Sequence, residues 1–273
     1  MINAIITGGS SGIGKATATL LVKNGWNVFL IARDVEKLTH TKNELDKIKL
    51  SPEQLIETHS VDVSDGEQVR TVIDSICTRY FPDQLITCAG EVNPGYFEDL
   101  PLQDFKKFME INYLGTVYMI RAVLPYMLER KQGHITMISS MAGLIGCFGY
   151  GSYAPTKAAL KSLAEILRVE MKPKGINISI CYPPDTDTPQ FAKENLTKPL
   201  ETKMINEIGG LYSADYVAEC IVRGINKKKF VIVPGRSNYL IFLLMSPLIF
   251  PLLSYADWIV KKVAKIKLSQ EKK

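Results

Sequence analysis

Short, continuous apolar runs alternate along the first 235 residues with longer segments in which apolar positions recur every three or four residues. The runs predict strands, and the periodic segments predict helices between them. Strands without apolar–polar alternation are typical of a parallel sheet covered on both faces. We therefore predict one doubly wound α/β domain over residues 1–235, with about seven strands and helices on both faces. The strands are expected at 2–6, 28–32, 55–61, 84–88, 135–139, 176–181 and 230–233, and the helices at 13–23, 34–48, 64–80, 102–131, 153–172 and 214–226.

Local signals mark the ends of several helices. Asn24 and Gly25 predict a C-terminal cap for the first helix, and Asp34 predicts the N-terminal cap of the second. Pro155 requires its helix to begin close to Tyr153, because proline is tolerated in the first turn of a helix but not in its interior.

Residues 236–273 differ from the rest of the chain. No charged residue occurs from 237 to 256, but Pro247 and Pro251 interrupt this stretch, which is borderline for a spanning helix of about 20 apolar residues. Four apolar residues beyond it fall on one helical face among lysines, as in helices that lie at a membrane surface; they are Trp258, Ile259, Val263 and Ile266. We predict an apolar, then lysine-rich, helical tail that associates with a membrane. The alternative is a helix pair that packs on a second copy of the chain.

The formal charge of +5 is unevenly distributed along the chain. Residues 254–273 carry six lysines and two acidic residues, so the predicted α/β domain is close to neutral. This excludes recognition of nucleic acid by a broad basic face. The lysine-rich tail instead suits an acidic membrane surface.

Cysteine and histidine are few and scattered. None of the five cysteines forms a C-x-x-C pair, and no histidine lies near a cysteine or another histidine. We therefore expect no metal site and reduced thiols. The catalytic domain is expected in the cytosol, at the endoplasmic reticulum of a eukaryote or the inner membrane of a bacterium.

A glycine-rich turn separates the first predicted strand from the first predicted helix. Residues 7–14 read Thr-Gly-Gly-Ser-Ser-Gly-Ile-Gly, with the spacing G-x-x-x-G-x-G. Such glycines allow the backbone to approach a pyrophosphate, whose charge is stabilised at the helix N-terminus. The strand–turn–helix context predicts a Rossmann-type dinucleotide site, formed by Gly8, Ser10, Ser11, Gly12, Ile13 and Gly14.

The end of the second predicted strand indicates which dinucleotide is bound. Enzymes that use NAD usually place an acidic residue there, to bind the ribose 2′-hydroxyl. Arg33 occupies this position, and a guanidinium matches the 2′-phosphate of NADP, with Ser10 as a second ligand. The alternative is that Arg33 is merely solvated and Asp34 reaches the ribose. We predict NADPH/NADP as the cofactor.

Tyr153 and Lys157 lie four residues apart, on one face of a predicted helix. A tyrosine with a pKa near 10 is a poor acid at neutral pH. A neighbouring ammonium and a positive nicotinamide ring are expected to lower this pKa. Such a pair also arises by chance in a chain with twelve tyrosines, so it indicates a catalytic site only in combination with other residues. Ser140 ends a predicted strand thirteen residues earlier, and Asn112 lies in the helix expected behind the site.

The glycine turn and these four side chains together resemble the short-chain dehydrogenase/reductase family, over residues 2 to about 235. The resemblance implies that Tyr153 donates a proton to a carbonyl oxygen and that Ser140 holds this oxygen. It further implies that Lys157 binds the ribose and tunes the tyrosine, and that Asn112 orders a relay water. The cofactor contacts that it implies outside the glycine turn are Asp62, Val63, Ala89, Gly90, Tyr153, Lys157, Pro183 and Thr188.

Two residues near these positions depart from the family pattern. Cys88 stands where the family has an asparagine that braces the strands. Pro184 stands where the family has a glycine, and it stiffens the loop above the nicotinamide. Neither change removes a catalytic group.

A longer segment bears on the substrate. Residues 182–202 begin Tyr-Pro-Pro-Asp-Thr-Asp-Thr-Pro, and with residues 97–100 and 111–115 they resemble the 3-ketodihydrosphingosine reductases. The resemblance implies reduction of 3-ketosphinganine, a long-chain amino ketone of membranes, to sphinganine in sphingolipid synthesis. The 2-ammonium group of this substrate is expected near Asp185 or Asp187, unless these residues only cap the loop.

Apolar residues after the sixth predicted strand are candidates for a lid over an acyl chain, with simple packing on the domain as the alternative; they are Phe191, Leu196, Leu200, Met204 and Ile208. A short-chain reductase of another lipid ketone (a steroid, a retinoid or a 3-oxoacyl group) would use the same catalytic side chains. A membrane scaffold that binds NADPH without turnover is the non-enzymatic alternative. A homodimer or a homotetramer is left open.

Overall fold

Seven parallel strands form the central sheet, in the order β3-β2-β1-β4-β5-β6-β9. The protein is represented by a computed structural model, which describes residues 1–244 together with Trp258 and Lys262. The predicted doubly wound α/β fold is confirmed. The strands of the sheet are β1 (Asn3–Thr7), β2 (Asn27–Ala32), β3 (Ile56–Ser60), β4 (Gln84–Thr87), β5 (Gly133–Ile138), β6 (Ile176–Cys181) and β9 (Val231–Ile232), and a separate short pair is formed by β7 (Thr186–Asp187) and β8 (Tyr212–Ser213).

Helices connect the strands and cover both faces of the sheet. They are α1 (Gly12–Lys23), α2 (Val35–Asp46), α3 (Gly66–Cys77), α4 (Leu102–Phe108), α5 (Gly115–Arg130), α6 (Ala154–Met171), α7 (Pro189–Thr197), α8 (Leu200–Asn206) and α9 (Ala214–Asn226). The local signals hold: Asp34 caps α2 by accepting the Lys37 N–H at 3.0 Å. Gly25 has a φ of +79° just after α1, and Pro155 lies in the first turn of α6.

The apolar core forms two layers, one on each face of the sheet. Successive side chains of β1 point to opposite faces, so Ile5 packs in the layer beneath α3, α5 and α6, whereas Ile6 packs in the layer beneath α1 and α9. Strands β1 and β2 are apolar on both sides for this reason, which is why the sequence shows continuous apolar runs at these positions.

Two regions differ from the predicted elements. The helices expected over 102–131 are α4 and α5, and an unpredicted π-helical segment, Met109–Leu114, lies between them. The region between β6 and α9, without predicted elements, holds α7, α8 and the β7–β8 pair. Periodicity does not separate an α-helix from a π-helical turn, and short helices with mixed polarity give a weak periodic signal.

Residues 236–244 form a helical stretch that follows β9. The ring of Phe242 stacks on that of Tyr182 just after β6, with 6.1 Å between the ring centroids. The rest of the predicted membrane-associating tail, apart from Trp258 and Lys262, lies outside the described residues. Among the residues that are described, we find no helix with the length and apolar character needed to cross a membrane.

A buried histidine on β5 provides a test of the core. The Nε2 atom of His134 lies 2.7 Å from Ser179 Oγ, and burial lowers the pKa of His134 to about 4. The unfolded chain takes up this proton near pH 6.5, so stability falls as the pH falls from about 6.5 to 4. We therefore expect the unfolding free energy, measured by urea denaturation, to fall by about 2 kcal/mol from pH 7 to pH 5 because of His134.

Two variants test this assignment of the pH dependence. His134→Gln should lose that part of the slope, whereas His40→Gln, with its exposed side chain, should keep it. Equal slopes in the wild type and His134→Gln would contradict the assignment.

Candidate active site

The carboxyl ends of the central strands open into a cavity of about 320 Å³. Strand order reverses at β1, which pairs with both β2 and β4, and ligands of doubly wound sheets bind at such a switch point. The cavity is lined by most of the residues that the sequence predicts for the site: Gly8, Ser11, Gly12, Ile13, Gly14, Ala89, Gly90, Ser140, Tyr153, Lys157, Pro183 and Thr188. Five other predicted residues lie outside its lining: Ser10, Arg33, Asp62, Val63 and Asn112.

The glycine turn has a geometry that side chains would destroy. Gly8 and Gly12 have φ values of +65° and +52°, which L-residues rarely adopt. A Cβ atom on Gly14 would lie 2.3 Å from the Gly8 carbonyl oxygen. The Ser11 side chain makes no capping bond to α1, and the first residues of this helix line the cavity. This cradle fits the pyrophosphate of a dinucleotide.

Neighbouring loops complete the wall around this cradle. Thr188 lies beside the turn, since a Cβ atom on Gly12 would be 3.1 Å from Thr188 Cγ2. Thr7 Oγ1 accepts the backbone N–H groups of Cys88 and Ala89, each at 3.0 Å. Thr7 therefore joins β1 to the loop after β4, at the point where Cys88 lacks the amide of the family asparagine.

Ser140, Tyr153 and Lys157 converge on the floor of the cavity. Ser140 Oγ accepts the Ala142 N–H at 3.1 Å, and the Ser140 and Tyr153 side chains both line the cavity. Lys157 Nζ donates to the Ile138 carbonyl at 3.1 Å and lies 5.7 Å from the centroid of the Tyr153 ring. This arrangement places a hydroxyl pair and a buried ammonium next to one another at the end of β5.

The protein groups around Tyr153 raise its pKa, whereas a lowered pKa was expected from Lys157 and the nicotinamide ring. Burial raises this pKa, the negative charges of Glu194 and Asp185 raise it further, and the nearby Ser140 hydroxyl acts in the opposite direction. Burial also lowers the pKa of Lys157 to about 8. Tyr153 is therefore held as a phenol, the form that donates a proton to a ketone oxygen.

Asn112 lies in the π-helical segment behind the cavity. Its Oδ1 accepts the Glu91 N–H at 2.8 Å, and its Nδ2 donates to the Glu91 carbonyl at 2.9 Å and to Thr156 Oγ1 at 3.0 Å. A Cβ atom on Gly90 would lie 3.1 Å from Asn112 Oδ1 and 3.3 Å from Lys157 Nζ. The Asn112 amide thus ties the loop after β4 to α6, and protein partners already engage its oxygen and its nitrogen.

Arg33 lies in a small ionic cluster at the ends of β2 and β3. Its guanidinium pairs with Glu91 and lies 3.8 Å from Asp62, while Lys107 Nζ contacts Glu91 at 2.6 Å. The Arg33 side chain stays half exposed, so a phosphate can reach it.

Val63, another predicted cofactor contact, packs on Gly115. A Cβ atom on Gly115 would lie 2.8 Å from Val63 Cγ2.

Sequence reasoning missed several polar residues of the site. Glu91 directly follows the Cys-Ala-Gly segment that lines the cavity, so its position next to the site could be predicted from the sequence. Glu194 and Asn238 line the cavity and Lys198 contacts Glu194, but none of the three had such a signal, because only the tertiary fold brings them together.

Comparisons with known proteins agree with this geometry. The sequence profile of the short chain dehydrogenase family matches residues 3–199. A 3-dehydrosphinganine reductase of Danio rerio is 46% identical over 250 residues, covering 90% of this chain and 75% of the relative. A 3-ketodihydrosphingosine reductase of Bos taurus is 44% identical over 241 residues, covering 88% and 73%.

Solved structures show the same fold. A short-chain dehydrogenase from Sphingobium yanoikuyae in complex with NADPH is similar with a TM-score of 0.78 at 22% identity, covering 93% of this chain and 96% of that one. ElxO with NADP bound gives a TM-score of 0.74 at 28% identity, covering 85% and 96%. The fold, the profile match and the curated relatives lead to one conclusion: this chain is a nicotinamide-dependent oxidoreductase that belongs to the short-chain dehydrogenase family.

Proposed function

We propose that this enzyme reduces 3-ketosphinganine to sphinganine with NADPH, in sphingolipid synthesis. The observation that carries the proposal is identity of 46% and 44%, over about nine tenths of the chain, to relatives named as reductases of this ketone. The cavity supports it, because a hydroxyl pair and an ammonium lie beside a dinucleotide cradle.

The proposed chemistry assigns one task to each residue on the cavity floor. The hydride for the ketone carbon comes from the nicotinamide of the bound cofactor. Tyr153 donates its phenolic proton to the ketone oxygen, while Ser140 holds that oxygen by a hydrogen bond. Lys157 binds the ribose, and its charge stabilises the phenolate left after proton transfer. Asn112 fixes the position of Lys157 through the loop after β4 and the first turn of α6.

The proposed preference for NADPH depends on Arg33. A guanidinium binds phosphate through charge-assisted hydrogen bonds, so Arg33→Ala should raise the KM for NADPH by about 10- to 100-fold. The KM for NADH should change little, because NADH lacks the 2′-phosphate.

Steady-state kinetics with both cofactors test this preference. Lys37→Ala is the matched control: it removes a nearby exposed cation that pairs with Asp34 and should leave both values within about twofold. An unchanged KM for NADPH in Arg33→Ala would contradict this preference and favour the alternative in which Asp34 reaches the ribose.

We further propose that residues 236–273 keep a cytosolic catalytic domain at the membrane that holds the substrate. In residues 236–244 of this segment, four large apolar side chains are between 41% and 56% exposed: Tyr239, Leu240, Leu243 and Leu244. Co-sedimentation with anionic liposomes should retain the full chain, whereas the same liposomes with 0.5 M salt should retain less of it if the lysines contribute.

The deciding experiment measures NADPH oxidation by purified protein with 3-ketosphinganine in mixed micelles. Turnover that forms sphinganine supports the proposed function. Absence of turnover, with NADPH binding intact, would overturn the sphingolipid assignment, and a screen of steroid, retinoid and 3-oxoacyl ketones would then identify the substrate.

A further inference from the structure

A buried ionic cluster lies on the substrate side of the cavity. Lys198 Nζ is 3.3 Å from Asp185 Oδ2 and 3.6 Å from Glu194 Oε2, and only 1% of the Lys198 side chain is exposed. Its ammonium also lies over the rings of Phe191 and Tyr150, at 4.5 and 5.8 Å from their centroids. Two carboxylates thus face one ammonium, and the charges on this wall of the cavity do not balance.

This cluster is directly connected to the proposed proton donor. The Tyr150 hydroxyl donates to Glu194 Oε2 at 3.0 Å, and its ring packs on that of Tyr153 with 5.7 Å between centroids. Asn206 Nδ2 donates to Asp185 at 3.2 Å. A ligand group beside these carboxylates is therefore close to the ketone that Tyr153 would protonate.

A second, independent feature of the same cavity also needs a hydrogen-bond donor. Asn238 is fully buried and lines the cavity, and its Oδ1 atom has no hydrogen-bond partner among the described residues. Its Nδ2 donates to the Gly209 carbonyl at 3.0 Å. A Cβ atom on Gly209 would lie 3.6 Å from Asn238 Oδ1 and 4.0 Å from Pro184 Cβ, so this acceptor and the residue before Asp185 both lie next to Gly209. An unsatisfied buried carbonyl is costly.

The chemistry of this wall selects a particular kind of ligand. This wall offers a ligand the oxygens of two carboxylates and of the Asn238 amide. They accept hydrogen bonds, and the carboxylates favour a cation. Burial raises the pKa of Glu194, with Lys198 acting in the opposite direction, and a second ammonium nearby would favour the carboxylate further. A neutral ketone without donors would leave Asn238 Oδ1 without a partner in the described part of the chain and the excess negative charge of the two carboxylates uncompensated.

We propose that Glu194, together with Asp185, binds the 2-ammonium group of the substrate, and that Asn238 Oδ1 accepts a hydrogen bond from the same polar head. This inference rests on the proposed function and deepens it, since it names the residues that distinguish an amino ketone from other lipid ketones. Asp187 is exposed and does not line the cavity, so of the two aspartates considered from sequence only Asp185 takes part.

The test compares two ketones in the intact enzyme. One is 3-ketosphinganine, and the other is 1-hydroxyoctadecan-3-one, in which hydrogen replaces the ammonium group. We expect the wild type to prefer the amino ketone by at least about tenfold in kcat/KM. Glu194→Gln should lower kcat/KM for the amino ketone by about 10- to 100-fold and leave that for the other ketone within about threefold. Asp187→Asn is the matched control and should change neither value.

Each outcome separates this inference from the proposed function. Turnover of 3-ketosphinganine without preference for it, or an equal loss for both ketones in Glu194→Gln, overturns the ammonium site and leaves the proposed function intact. If the wild type reduces 1-hydroxyoctadecan-3-one but not 3-ketosphinganine, the ammonium site and the proposed function are both overturned. If Glu194→Gln does not fold, as judged by its thermal transition, Asp185→Asn replaces it in the same comparison of the two ketones.

Discussion

Tyr153→Phe is expected to lower kcat for ketone reduction by about 10²- to 10⁴-fold, the range typical of a lost general acid. Phenylalanine keeps the ring that packs on Tyr150 and removes only the hydroxyl. NADPH oxidation under saturating substrate measures the change.

The affinity for NADPH and the thermal transition of this variant should stay close to those of the wild type. Tyr126→Phe removes a tyrosine hydroxyl that donates to Asp74 at 2.9 Å, on the outer helices, and it should retain full kcat. A Tyr153→Phe enzyme with more than a tenth of the wild-type kcat would rule out Tyr153 as the proton donor.

Gly14→Ala is expected to damage both stability and cofactor binding. Its Cβ atom would lie 2.3 Å from the Gly8 carbonyl oxygen, a backbone atom that moves only if the whole turn changes shape. Overpacking of this kind costs about 1–3 kcal/mol of unfolding free energy. Because the displaced turn is the pyrophosphate cradle, we also expect the Kd for NADPH to rise more than tenfold.

Urea denaturation and fluorescence titration with NADPH measure these two effects. Gly146→Ala is the matched control, because no atom lies within 4 Å of the added methyl group, and its unfolding free energy should change by less than about 0.5 kcal/mol. Tight NADPH binding by Gly14→Ala would show that the cofactor does not use this turn.

The parts of the structure that short-range patterns encode were predictable. All seven strands of the sheet were found: the central strands are buried on both faces and appear as short apolar runs, whereas the edge strand β3 is polar and only half-buried. Gly8 and Gly14 lie within one turn, and Tyr153 and Lys157 are one helical turn apart. Ser140 directly follows a strand, and the carboxyl ends of parallel strands meet at one edge of the sheet.

The remaining features depend on contacts between distant parts of the chain. Lys198 lies in a polar segment that gives no signal of burial, yet Asp185 and two aromatic rings enclose it. Asn238 belongs to the segment predicted as a tail, yet it is fully buried at the cavity. The direction of the Tyr153 pKa was missed for the same reason, because desolvation and the charge of Glu194 arise only in the folded protein.

In the π-helical segment Met109–Leu114, the number of residues constrains the site more strongly than their identities do. A π-helical turn contains one residue more than an α-helical turn. Deleting one residue there would restore a regular α-helix and keep α4 and α5 in their present orientations, because a π-helical turn holds one extra residue without rotating the flanking helices. The side chains inside the segment would turn by up to about 100°, so Asn112 would lose Glu91 and Thr156. Substitutions around Asn112 should therefore be tolerated far better than a single-codon deletion, which would cost the enzyme its geometry without removing any essential side chain.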